Sequence, residues 1–354
     1  MRNILIITQK VDENDDLLGF FVGWLREFSK KFDNVFVITL MKGEYNLPQK
    51  VFVYSLGKEN KNSKILRFFN FYRFLFKLVP KSNGIFVHMS PIFAVASWPV
   101  ALLFGKRIVL WYLHRSVTVR LKLAEKVCYK IATSTIESLN IKSKKIIELG
   151  HGIDIEKFRT TQRNWDDLVL SKRFSILSVG RISKIKDYET LIKAAKILKD
   201  KGLKFKVKIV GRPVMTYDFE YFEKVKKLIQ ESELENFIEF AGFVPYSQIA
   251  NYYKEADIFI NLAPKGGIDK AVLEAMAAGC LTFVANEVFK KYFGDFSQLL
   301  IFRYGNSDDL FQKVENLLKL SKDKLNNVSN FLQESVERSH NLSKTVDKIS
   351  ELFN

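Results

Sequence analysis

Short β-branched and aromatic runs alternate with helix-length segments along this 354-residue chain, and that alternation constrains the fold more than any single motif does. In the first half the strand candidates are Ile4–Thr8, Asn34–Leu40, Val51–Ser55, Gly84–His88, Arg107–Leu113 and Lys145–Leu149. In the second half they are Phe174–Gly180, Phe205–Gly211, Phe237–Ala241, Asp257–Leu262, Leu281–Ala285 and Gln298–Phe302. Between them, Leu17–Lys31, Tyr188–Lys201, Phe219–Glu231 and Lys270–Ala278 have helix length. Strand, helix, strand repeated on this scale predicts parallel sheets with right-handed crossovers. The length exceeds what one hydrophobic core usually organises, so two doubly wound α/β domains are expected. The polar stretch Arg159–Arg173 is the linker candidate. It predicts one domain over residues 1–160, a second over 161–335, and a C-terminal helix over 336–354 that packs back toward the first.

Hydrophobic residues make up 47% and charged residues 27%, the composition of an ordinary globular protein. Cys128 and Cys280 lie far apart and outside any metal-type spacing, which fits a reducing cytoplasm and gives no zinc or disulfide framework. Met1-Arg2 leads straight into a buried strand pattern, so no export signal is expected. The apolar stretch Pro91–Phe104 is too short to span a bilayer. The formal net charge is +17, and no acidic residue occurs from Asn60 to Ala124. Such asymmetry points to an anionic partner, or to a solvated basic face.

In a doubly wound domain, ligands bind beyond the carboxyl ends of the strands, so the strand-to-helix loops carry the information. Gly180-Arg181, followed by Lys186-Asp187, opens the helix from Tyr188; it offers a tight turn and two cations at a helix N-terminus, suited to a diphosphate. A second loop, with Gly266, Gly267, Asp269 and Lys270, leads into a helix carrying Glu274. The glycines offer backbone N–H groups to a ligand, and Asp269 can cap the helix. Glu274 reads either as a surface ion-pair partner of Lys270 or as an acceptor of ribose hydroxyls. Gly211 and Pro213 shape a third loop after a strand end.

Taken in order, Gly180-Arg181 to Lys186, Val210-Gly211, Phe240 to Pro245, Ala256 to Asn261 and Leu273-Glu274 to Gly279 resemble retaining glycosyltransferases of family 4. In the first half, Gly150-His151-Gly152 to Phe158 resembles the segment closing that family's acceptor lobe. The resemblance implies the GT-B architecture, two Rossmann-like domains facing a cleft, with C-terminal helices. It also implies that Arg181 and Lys186 hold the donor diphosphate and Glu274 the ribose. The family's motif has a further glutamate eight positions before this one, where this chain has Gly266; Asp269 and Lys270 are candidates for part of its role.

His88, His114 and His151 all fall where a strand should end. The resemblance matches His114 to the histidine that faces the donor sugar, and a near-neutral imidazole there can hydrogen-bond the sugar or move a proton. With Arg181 and Lys186 it makes up the expected catalytic set. His88 reads as lining the acceptor pocket or as a structural histidine. Gly19, after the acidic loop from Asp12, reads as a point of close approach for donor or acceptor, or as part of a solvated loop. No Asp-x-Asp motif stands in a suitable loop, so neither a metal nor another cofactor is expected. Lys64 to Pro80 mixes aromatics and cations at helix spacing, an interfacial helix or a core-facing one with basic ends.

The expected function is therefore transfer of a sugar from a nucleotide diphosphate donor to a lipid-linked or polysaccharide acceptor. The enzyme is expected to be peripheral to the cytoplasmic face of an anionic membrane and not to bind nucleic acid. The alternative is a catalytically silent module of the same fold that binds nucleic acid or another anion.

Overall fold

A computed structural model describes residues 1–160 and 163–354. The chain forms two compact units: Met1–Asp154 with Pro245–Ser247 and Ser339–Asn354, and Ile155–Val244 with Gln248–Arg338. The boundary expected between residues 160 and 161 falls at Thr161, which with Gln162 lies outside the described residues.

The first unit is built on strands β1 (Asn3–Val11), β2 (Asn34–Lys42), β3 (Val51–Ser55), β4 (Gly84–His88), β5 (Arg107–Trp111), β6 (Lys130–Thr133) and β7 (Ile146–Glu148). They lie in the order β3-β2-β1-β4-β5-β6-β7, all parallel. Alternation along β1 explains why the strand is apolar throughout: Ile4 and Ile6 enter the core on one face, Leu5 and Ile7 the core on the other. The helix Phe21–Lys31 covers the first face with Trp24, Leu25 and Phe28. Leu342, Val346, Ile349 and Phe353 of the C-terminal segment join that same core, and Arg2 Nη2 donates to Ser350 O at 2.8 Å.

The second unit holds β8 (Arg173–Val179), β9 (Lys204–Val210), β10 (Ile238–Gly242), β11 (Ile258–Asn261) and β12 (Leu281–Val284), in the order β10-β9-β8-β11-β12, also all parallel. In each sheet the strand order reverses once, between β1 and β4 and between β8 and β11. Such reversals splay the following loops apart and leave a crevice at the strand ends.

Two strand assignments change. Gln298–Phe302 is not a strand: Ser297–Leu300 is a helical turn that buries Leu300, and only Ile301 bridges, to Val284. A short apolar run has no period that separates strand from buried helix. Conversely, β6 is a strand of four residues that begins with a lysine, too short to register as an apolar run.

Candidate functional site

The reversal between β8 and β11 gathers most of the residues expected to bind the donor. The Gly180–Lys186 loop leaves β8, and the loop through Gly266, Gly267 and Asp269 leaves β11 and enters the helix Lys270–Ala277. Lys186 Nζ lies 2.6 Å from Asp269 Oδ2, so the two loops are tied across the crevice. The same oxygen accepts from Asn261 Nδ2 at 2.8 Å, and Asp269 Oδ1 caps the helix by accepting from Ala271 N at 3.1 Å. Burial works against charge on Asp269, but Lys186 and the hydrogen bonds from Lys186, Asn261 and Ala271 N outweigh it, leaving its carboxyl below the usual carboxylate range.

Gly180 and Gly211 immediately follow the adjacent strands β8 and β9. A Cβ on Gly211, whose φ is +139°, would stand 1.9 Å from Gly180 O, so two loops converge here only because this position lacks a side chain. Gly180 in turn lies under the Lys186 side chain. Gly266 and Gly267 form the bend before Asp269, and neither donates its N–H to a protein group among the described residues. Between Lys186 and the helix Tyr188–Asp200, Asp187 adopts a left-handed φ of +45°, an uncommon conformation for a residue with a side chain.

Glu274 is buried. Tyr253 Oη donates to its Oε2 at 3.1 Å, and Lys270 Nζ lies 2.9 Å from Oε1 but off the direction of a hydrogen bond. The i, i+4 ion pair exists, though its carboxylate is buried and not on the surface, and one carboxylate oxygen keeps acceptor capacity.

Sequence reasoning missed Asp218. It is fully buried in the helix Thr216–Glu231, and its Oδ2 accepts from Met215 N at 2.9 Å and lies 3.5 Å from Arg181 Nε. The guanidinium is thereby held from one side, while no hydrogen bond engages its Nη groups among the described residues. The detectable signal was an acid three residues after a helix cap. Met215 stands at that cap position, where a serine or threonine would have drawn attention. The crevice therefore holds three cation–carboxylate pairs: Arg181 with Asp218, Lys186 with Asp269, and Lys270 with Glu274.

In the first unit the reversal between β1 and β4 is differently furnished. His88, at the end of β4, is buried with its ring stacked on Phe21 at 3.9 Å and its Nδ1 3.3 Å from Thr8 Oγ1. The histidine is packed rather than presented. Gly19 does sit at a close approach, but to the protein itself: a Cβ would meet Asp15 O and Glu13 O at 2.8 Å and Tyr246 Cβ at 3.1 Å. The acids before it form a braced loop. Lys10 pairs with Asp12 and Asp15, and Asp15 Oδ1 accepts from Leu17 N and Leu18 N. His114 lies exposed three residues beyond β5, its Nδ1 accepting from Ser116 N at 3.0 Å, so Nε2 is the nitrogen turned away from that bond.

A cavity of about 580 Å³ in the second unit, bordered by Ile176, Val207, Ile238 and Tyr252, includes none of the expected site residues. A larger one of about 820 Å³, bordered by Arg173, Lys199 and Lys204, includes none of them either, and the charged crevice is the better candidate because its groups converge on one ligand type. Among the described residues no group of three His, Cys, Asp or Glu side chains is placed to hold a metal ion. Among the described residues no helix is long and apolar enough to cross a membrane.

Residues 162–333 match the family described as Glycosyl transferases group 1, and this stretch contains the crevice just described. This segment is similar to group 1 glycosyltransferases over just under half of the chain. The amylovoran biosynthesis glycosyltransferase AmsK of Erwinia amylovora is 35% identical over 151 residues, 41% of this chain and 34% of AmsK. The N-acetylgalactosamine-N,N'-diacetylbacillosaminyl-diphospho-undecaprenol 4-alpha-N-acetylgalactosaminyltransferase of Campylobacter jejuni is 27% identical over 191 residues, 53% of this chain and 48% of that enzyme. The chain thus spans a third to a half of the length of these relatives. The fold of the chain also matches the crystal structure of Anabaena Alr3699/HepE in complex with UDP, with a TM-score of 0.74 at 15% identity over 99% of both chains. That likeness establishes the GT-B fold, with its two parallel sheets.

Proposed function

We propose that the chain is a retaining glycosyltransferase that moves a sugar from a nucleotide diphosphate sugar to a lipid-linked or glycan acceptor at the cytoplasmic face of a membrane. The observation that carries this reading is the convergence of Arg181 and Lys186 at the β8–β11 reversal, each braced by a carboxylate. Cations fixed in advance stabilise charge on a departing diphosphate without reorganising, which is where electrostatic catalysis gains most. In this scheme the chain's own cations, rather than a metal, meet the diphosphate. Gly180, Gly211, Gly266 and Gly267 give it backbone access, Asp269 and Lys270 flank the sugar, and Glu274 accepts ribose hydroxyls. His114 acts on the reacting sugar through Nε2. Retention is supported by the motif order that the sequence shares with family 4. The names of the relatives, one for amylovoran synthesis and one for a diphospho-undecaprenol acceptor, support the acceptor class.

The test is donor titration and sugar transfer with Arg181→Ala and Glu274→Ala. Loss of one preset cation should lower transfer by roughly a hundredfold or more, with a smaller loss and weaker nucleotide binding for Glu274→Ala. Wild-type transfer and donor binding in both variants would remove the assigned site.

A further inference from the structure

On the outer face of the first sheet the helices Lys64–Leu78, Pro91–Leu103 and Val119–Val127 lie side by side over one core, to which they contribute Phe71, Leu75, Ala94 and Leu121. They follow β3, β4 and β5 in turn, and a crossover helix runs back against its parallel strands. All three therefore begin at the carboxyl end of the sheet, the end that carries His88 and His114. Ser63 and Thr118 cap the first and third helices by accepting from Leu66 N and Leu121 N, which fixes their first turns.

What those first turns turn outward is unusual for a protein surface. Ile65, Phe68 and Phe69 on the first helix, Ile92 on the second, and Val119 and Leu123 on the third are all exposed, Phe69 at 65% and Val119 at 73%. The exposed cations Lys64, Arg120 and Lys122 stand among them. The three helices carry a single acid, Glu125 near the end of the third, which accepts from Ser143 Oγ at 2.6 Å; the stretch from Asn60 to Ala124 has none. Soluble surfaces mix both signs of charge and keep apolar side chains scattered. Here the apolar groups project from three separate helix starts with cations between them. A folded protein partner would have to supply a matching acidic surface with holes for each apolar group. A bilayer interface needs no such match: apolar side chains enter below the headgroups while lysine and arginine meet lipid phosphates.

We propose that this face docks on an anionic phospholipid bilayer, setting the exposed His114-Arg115 loop, which joins β5 to the third helix, at headgroup level. The purpose of docking rests on the proposed transfer to a lipid-linked acceptor, but docking itself is measurable without it. The experiment is vesicle flotation of the full chain with phosphatidylglycerol-containing or pure phosphatidylcholine vesicles, alongside donor titration. Wild type should float with the former only. Phe68→Glu/Phe69→Glu and Arg120→Glu/Lys122→Glu should each weaken binding roughly tenfold or more while donor affinity stays at the wild-type value, which also shows that both fold. Arg181→Ala should float like wild type, so a failure of the donor site and a failure of docking are separable. Absence of wild-type flotation, equal flotation with phosphatidylcholine, or flotation of both double variants would overturn the proposal. So would a soluble dimer that Phe68→Glu/Phe69→Glu dissolves without any vesicle binding.

Discussion

Both units reverse their strand order once, yet the two crevices are furnished in opposite ways. Beyond β8 and β11 stand three cation–carboxylate pairs and a glycine contact that brings two loops together. Beyond β1 and β4 the histidine is sealed among Phe20, Phe21 and Trp24, and the acidic loop is bound up with Lys10 and Arg26. Topology creates the opening in each case, while side-chain chemistry decides whether it receives a ligand or is closed by packing. The second unit's crevice presents braced cations of the kind the proposed donor requires, and the first unit's is filled by packing, leaving His114 and the helix starts beside it as its outward-facing chemistry.

The comparison is broken most directly at its two crowded glycines. Gly211→Ala places a methyl 1.9 Å from a backbone carbonyl at a left-handed φ, and should cost about 3 kcal/mol or more in a denaturant titration. Because the displaced group belongs to the Gly180–Arg181 turn, nucleotide binding should fall with it. Gly19→Ala meets carbonyls at 2.8 Å within a surface loop at an ordinary φ, so it should destabilise less and leave nucleotide binding alone. Equal nucleotide affinity in the two variants would mean that the β8–β9 glycine contact does not shape a donor site.

A sharper test uses pH. Asp269 has its carboxyl held below the usual range, so the stability it contributes is complete above the ordinary aspartate value, near about 3.9, and is lost as pH falls through its lower folded-state value. Asp269→Asn should therefore cost about 1–2 kcal/mol at neutral pH, and the gap from wild type should close in strongly acidic solution, where both side chains are neutral. Melting curves across that range decide it. A gap that persists unchanged in acid would mean that Asp269 acts by shape and not by charge, and the Lys186 brace would lose its physical basis.

How much of this was legible in the sequence follows the same division. The crevice beyond β8 and β11 could be read because its residues sit in strand–loop–helix segments marked by spacing, glycines and cations. Asp218 escaped because it acts across three-dimensional space on Arg181 and is preceded by a methionine cap. His88 could be placed at a strand end, but not judged packed or presented, since the ring against it, Phe21, begins a helix distant in sequence. The helix Lys64–Leu78 left two readings open because its burial is divided: Phe71, Leu75 and Leu78 face the core, while Phe68, Phe69 and Phe76 face outward. A helix with apolar residues on more than one side has no single face that its sequence can declare buried.

The smallest expected effect separates the two histidines. His88 contributes a stacked ring contact at 3.9 Å and a long 3.3 Å approach to Thr8 Oγ1. Replacing it with leucine keeps an apolar group of similar bulk, so the loss should be about 1 kcal/mol, read as a modest drop in melting temperature. Nucleotide affinity should not move, because the change lies outside the unit that holds Arg181, Lys186 and Lys270. His114→Ala should show the reverse signature, an unchanged melting temperature because the ring is exposed, with transfer lowered and nucleotide binding retained. If His88→Leu abolished transfer while the protein stayed folded, the aromatic crevice would be a working part of the site rather than its support, and the contrast between the two reversals would fail on the first unit's side.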